Sequence, residues 1–188
     1  MKMLIIAIND YIDKKKDIVF NWALNNNISN IYILSNGFDK EKLLNLKEDL
    51  PSNGIGIKMY LDYKDSFKLS ENDLKSFSRE DLSFDVIVMD KYNVNNKRIN
   101  IINNNYKKID FLNILETSKE GYDLFVFKDN SFRFDFQLNH SMKSVLVGVP
   151  YLNNNNDFLV VDTSNNIIDG YHLIIDNDIV KKEVLFKI

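Results

Sequence analysis

GYDLFVFKDNSFRFDF, residues 121–136, is where the hydrophobic rhythm of the chain changes. Upstream of Gly121, short apolar runs alternate with amphipathic helical stretches; downstream, strand-like runs follow one another with only turns between them. The first rhythm belongs to parallel βαβ units and the second to an antiparallel sheet. Gly121 itself suits the end of the last helix. Phe132, Phe134, Phe136 and Leu138 alternate with Arg133, Asp135 and Gln137. One face of that strand is apolar and the other polar, as in a strand that covers a core.

Towards the amino terminus, Met3–Ile8 is a continuous apolar run of strand length, followed by a helix that buries Ile18, Val19, Trp22 and Ala23, with Asp10 placed to cap it. Ile31–Leu34 is the second strand, broken at Asn36 and Gly37. A helix carrying Leu43, Leu44, Leu46 and Leu50 stops at Pro51. Ile55–Leu61 is a third strand whose alternation suits a place near a sheet edge, and Val86–Met89 a fourth, bracketed by Asp85 and Asp90. Residues 92–108 are polar and Asn-rich, interrupted at Ile99, Ile101 and Ile102, and read as a boundary or excursion. A helix with Ile109, Leu112 and Leu115 on one face follows. Beyond Gly121, strands are expected at 124–127, 132–138, 144–149, 158–161, 167–175 and 183–186.

The expected fold class is therefore α/β: Rossmann-like parallel βαβ units over residues 1–95, then a helix and an antiparallel strand-rich portion over 96–188. The two portions are compatible with one compact domain and one mixed sheet.

Composition narrows the function classes. Of 188 residues, 45% are hydrophobic and 27% charged, a globular balance. The net charge of −3 and the presence of only three arginines, Arg79, Arg98 and Arg133, disfavour broad nucleic-acid binding. With no cysteine there can be neither disulfides nor thiolate-held metals, which fits a cytoplasmic protein. No run approaches the roughly 18 apolar residues of a membrane span, and oligomeric state is not encoded in any visible pattern. Abundant Asn, Lys and Ile follow from AT-rich codons, and the Asn clusters read as turns.

Parallel strands present their carboxyl ends as a ligand crevice. Asn9, Asp10, Asn36, Asp62, Asp90 and Lys91 each follow such an end and form the candidate ligand-binding set. Their carboxylates and amides suit ribose hydroxyls or hydrated Mg²⁺, and Lys91 suits a phosphate. No glycine-rich phosphate loop and no nucleophile elbow accompany them. His140 and His172 are the only imidazoles, and no ligand spacing joins them to Asp135 or Asp169 in a zinc site.

Asp123 before one strand, with Asp135 and Gln137 on the next, resembles the PD-(D/E)xK nuclease core. That likeness implies a Mg²⁺ held by Asp123 and Asp135, although Gln137 stands where that family has lysine. Asp169-Gly170-Tyr171-His172 resembles the Asp-Gly-x-His turn of ParB-like and sulfiredoxin-like domains, with Leu173 in place of the arginine that contacts phosphate there. The leading expectation is a module that binds a nucleotide-like or polar metabolite. The alternatives are a protein-interaction module without catalysis, and a metal-dependent hydrolase or nuclease.

Overall fold

The computed structural model describes residues 1–9, 15–37, 39–49, 55–60, 70, 72, 84–87, 92–94, 97–105, 124–139, 142–152, 155–164 and 167–188. The elements are β1 (Lys2–Asn9), α1 (Lys15–Asn25), β2 (Asn30–Asn36), α2 (Lys40–Asp49), β3 (Gly56–Tyr60), β4 (Phe84–Ile87), β5 (Tyr92–Val94), β6 (Lys97–Asn105), β7 (Leu124–Asp129), β8 (Arg133–Asn139), β9 (Met142–Pro150), β10 (Asp157–Asp162), β11 (Asp169–Asp176) and β12 (Ile179–Lys187). They build two mixed sheets rather than one. The first has the order β12-β11-β10-β1-β2-β3-β4, the second β5-β6-β7-β9-β8.

The βαβ rhythm of the first half is realised: β1, β2, β3 and β4 are parallel neighbours. α1 starts at Lys15 and buries Val19, Phe20 and Ala23, while Trp22 meets Phe158 edge-to-face at 6.0 Å. It ends where Asn27 takes a φ of 55°, a left-handed conformation that asparagine tolerates at a helix C-terminus. α2 is capped by Asp39, whose carboxylate accepts the Lys42 amide at 3.0 Å.

β1 has no solvent-facing side. Leu4, Ile6 and Ile8 pack with α1 and α2, and Met3, Ile5 and Ala7 pack with the second sheet through Leu124, Val126, Val145 and Val147. At about 1.5–3 kcal/mol for each fully buried aliphatic or aromatic side chain, these two layers are the main drive for folding. β10 continues the first sheet on the other side of β1, antiparallel to it, and β11 and β12 follow as antiparallel hairpins. Strands from both sides of residue 95 thus share a sheet.

Two expectations need correction. The stretch at 92–108 is not a polar excursion: it contains β5 and β6, and Ile99 and Ile101 of β6 are fully buried. Its few apolar residues, Ile99, Ile101 and Ile102, sit among Lys, Arg and Asn, so the run looks like loop until a second sheet is available to cover Ile99 and Ile101. The downstream portion is also not uniformly antiparallel. β6, β7 and β9 are parallel neighbours, and only β5 and β8 at the two margins reverse direction. β8 follows β7 after a short turn yet pairs with β9, so β7 and β8 do not form a hairpin. As a marginal strand β8 leaves Phe134 and Phe136 partly exposed, at 40% and 45%, although Phe134 stacks on Phe186 of β12. The expected helix around residues 109–115 lies outside the described residues. Among the described residues, no helix is long and apolar enough to cross a membrane.

Gly170 marks a tight approach between β11 and β12. A Cβ there would lie 2.1 Å from the ring of Phe186, which is buried against Phe134. Gly170→Ala is expected to destabilise the protein by about 1–3 kcal/mol, the cost of overpacking. For a chain of this size that lowers Tm by roughly 2–4 °C per kcal/mol, which calorimetry would register.

Candidate functional site

The two sheets lie so that their parallel strands end on a common rim. β1 and β2 end together at the register pair Asn9 and Asn36, and Leu34 pairs with Tyr60 at the end of β3. In the second sheet Asn105, Lys128 and Val149 are partners across β6, β7 and β9. After β9, Tyr151 forms a parallel bridge with Ala7, and the Leu152 amide donates to the Ala7 carbonyl at 2.8 Å. Lys15, the first residue of α1, donates to the carbonyls of Leu152 and Asn155 at 3.2 and 3.1 Å. The loop after β9 is therefore held against the end of β1.

Lys128 joins the two sheets directly. It is 2% exposed, and its Nζ donates to the Ser35 carbonyl at 2.9 Å. Ser35 is fully buried, and its hydroxyl donates in turn to the Tyr60 carbonyl at 2.6 Å. A chain of polar contacts thus runs from the end of β7 through the end of β2 to the end of β3. Buried polar groups of this kind persist only when bonded, because an unsatisfied one costs free energy. Beside Lys128, the Asp129 carboxylate faces Arg133 Nε at 3.2 Å and accepts the Asn130 amide at 2.7 Å. Gly37 follows Asn36 with a φ of 78°, which glycine adopts without strain.

Of the residues expected in the crevice, Asn9 and Asn36 are brought together at this rim, the first half-buried and the second exposed. Asp10, Asp62, Asp90 and Lys91 lie outside the described residues, as do Asp123 and His140. Asp135 is exposed on β8, where its carboxylate accepts the Phe136 amide at 2.8 Å. β9 separates β8 from β7, so Asp135 is not on a strand adjacent to the one that Asp123 precedes. Asp169 to His172 lie within β11 rather than in a turn. The His172 imidazole sits 2.7 Å from Asp157 and stacks on Phe132 at 3.7 Å, a structural clasp between β11 and the second sheet. Among the described residues no group of three His, Asp or Glu side chains could hold a metal ion.

Lys128 and Ser35 were not in the expected set. The signal was present: Lys128 ends the apolar run LFVF much as Asn9 and Asn36 end theirs. Reading this region as antiparallel kept it from being counted at a carboxyl edge.

No protein-family description matches the sequence, and no curated protein matches it. Solved structures do. An archaeal phosphodiesterase is 13% identical with a TM-score of 0.57, the match covering 98% of this chain and 100% of that one. Vps29 of Chaetomium thermophilum is 14% identical with a TM-score of 0.58, covering 98% and 97%. Vps29 of Entamoeba histolytica complexed with Zn²⁺ is 11% identical with a TM-score of 0.51, covering 98% of each chain. The chain has the α/β fold of these phosphodiesterase and Vps29 structures. At such identities the likeness is one of fold, and it extends over the whole chain, both sheets included.

Away from the rim, the opposite end of β10 carries a displaced titration. Burial would raise the carboxyl of Asp162, but the Ser164 hydroxyl at 2.5 Å and amide at 2.9 Å, with Lys2 and the terminal amine, outweigh it and hold the group below its ordinary value of 3.8. A depressed carboxylate contributes stability above its unfolded value, and that contribution is lost as pH falls through the folded value. Ser164→Ala is therefore expected to lower stability at neutral pH, and the gap from the native protein should close below about pH 4. Denaturant titrations across pH check this. At the rim, Ser35→Ala removes the donor to Tyr60 and is expected to cost about 1–3 kcal/mol, read as a lower urea midpoint at unchanged m-value.

Proposed function

We propose that the rim takes a phosphate-bearing ligand and hydrolyses a phosphodiester with the help of a divalent cation. The observation that carries this reading is the convergence of parallel-strand ends from both sheets on one polar rim, with Asn9 and Asn36 paired at the ends of β1 and β2 and Lys128 of β7 bonded to the neighbouring Ser35 carbonyl. Strand carboxyl ends are where open α/β sheets bind ligands. Likeness over the full length to a phosphodiesterase, and to a Vps29 solved with Zn²⁺, supports the hydrolase alternative over the purely metabolite-binding expectation.

The donor chemistry fits a hard cation. Asn9 and Asn36 offer amide oxygens. Asp10 directly follows β1, while Asp62 and Asp90 come two and three residues after β3 and β4 and would add carboxylates. Oxygen donors of this kind suit Mg²⁺ or Mn²⁺ better than a thiolate-seeking ion. Bound there, the cation would polarise the phosphoryl oxygen and acidify water. Asn36 and Lys91 would orient the phosphate, and buried Lys128 and Ser35 fix the ends of β2 and β3 that carry the site. The cysteine-free composition is consistent with action in the cytoplasm.

A protein-interaction role is a second reading, favoured by the exposed Phe134 and Phe136 on the marginal strand β8.

Hydrolysis of bis-p-nitrophenyl phosphate with Mg²⁺, Mn²⁺ or Zn²⁺ separates the two. The expected result is turnover abolished by EDTA and reduced roughly 10²-fold or more in Asp10→Asn or Asp62→Asn. If no cation supports turnover of this substrate or of cyclic nucleotides, and none raises the Tm, the hydrolase reading fails and the interaction reading takes its place.

A further inference from the structure

We propose that β8 is the contact strand of a homodimer, pairing antiparallel with β8 of a second copy of this chain about a two-fold axis at Phe134. The inference is independent of the phosphodiester reading. Each sheet has two marginal strands, and a marginal strand presents a row of unpaired amides and carbonyls unless something blunts it. β4 and β5 are short, at four and three residues. β12 carries Lys181, Lys182 and Lys187, charges that discourage edge pairing. β8 has seven residues, contains neither lysine nor proline, and pairs with β9 alone among the described residues. It is the margin left without such a guard.

The sequence of that edge is complementary to itself. Phe132-Arg133-Phe134-Asp135-Phe136 alternates apolar and charged residues identically from either end, and its two charges are opposite in sign. Two antiparallel copies centred on Phe134 oppose Phe132 to Phe136, Phe134 to itself, and Arg133 to Asp135 twice, as an isologous contact requires. Opposed residues in an antiparallel ladder share a face, so the phenylalanines of both copies gather on one side and both ion pairs on the other. On the apolar side Phe132 stacks on His172 of β11, and Phe134 on Phe186 of β12, the last strand of the first sheet. Phe136 is next in that row and is 45% exposed, with Phe134 at 40%. The second copy covers both. On the charged side, exposed Asp135 accepts the Phe136 amide of its own strand, and Arg133 meets Asp129 through Nε, leaving its other guanidinium donors to a second carboxylate.

Sedimentation velocity of the full chain between about 1 and 200 µM tests this, because a single strand ladder is a small interface and its association is expected to depend on concentration. The native chain should pass from monomer to dimer over that range. Asp135→Arg sets like charges opposite each other at both ends of the ladder and should weaken association about tenfold or more. Arg133→Asp should do the same, and an equimolar mixture of the two variants should form a heterodimer, since each then meets the opposite charge. Should Arg133→Asp fail to fold, Phe136→Lys at its exposed position takes its place and should also weaken association. A native chain that stays monomeric throughout overturns the inference. So does a dimer that Asp135→Arg or Phe136→Lys leaves unchanged, or a mixture of folded Asp135→Arg and Arg133→Asp chains that does not associate.

Discussion

β1 must be buried on both faces, and the rest of the molecule follows from that requirement. Its six central residues, Met3 to Ile8, are all apolar and all buried. One face is covered by α1 and α2, which βαβ connections place there; the other needs a separate layer. The second sheet is that layer, and its own parallel strands β6, β7 and β9 reach their carboxyl ends beside those of β1 and β2. The polar rim is thus a by-product of how the core is closed. Once two apolar faces are pressed together in this orientation, the side chains that terminate the strands have nowhere else to go.

That arrangement explains why a lysine can be tolerated in the interior. Lys128 belongs to a strand whose preceding residues, Leu124 to Phe127, are buried. A charge there would be costly in isolation. A backbone carbonyl is an oriented acceptor for an ammonium, and the Ser35 carbonyl receives the side chain. The same logic governs Lys15, which bonds two loop carbonyls after β9. Both lysines tie strand and loop ends together as fixed points of the rim.

The parts of the fold legible in the sequence were those encoded locally. Met3–Ile8, Ile31–Leu34 and Ile55–Leu61 are continuous or alternating apolar runs, and helices with apolar stripes separate the first three strands, so their parallel pairing could be read directly. The strands at 158–161 and 167–175 were legible because a polar turn joins them. β6 was hidden because Ile99 and Ile101 are flanked by Lys97, Arg98, Asn100 and Asn103, and its apolar face is defined only by a layer contributed from elsewhere in the chain. The direction of β9 relative to β7 was hidden for a related reason: β8 intervenes in sequence but not in space. At the rim, Asn9 and Asn36 were legible as strand ends, whereas Lys128 and Ser35 acquire meaning only when both sheets are seen together.

The pairing of β1 with β10 carries a consequence for how the chain acquires its structure. Next to β1 on one side is β2, close in sequence; on the other side is a strand from near the carboxyl terminus, and the terminal amine reaches Ser164 across 163 residues. Contacts of such separation form late, because loop closure must precede the energy they release. A nascent chain would hold β1 with one open, strongly apolar edge until the final three strands emerge from the ribosome. During that interval a strand that the native protein buries on both faces is an adhesive segment, and a chaperone or rapid C-terminal synthesis would be what protects it.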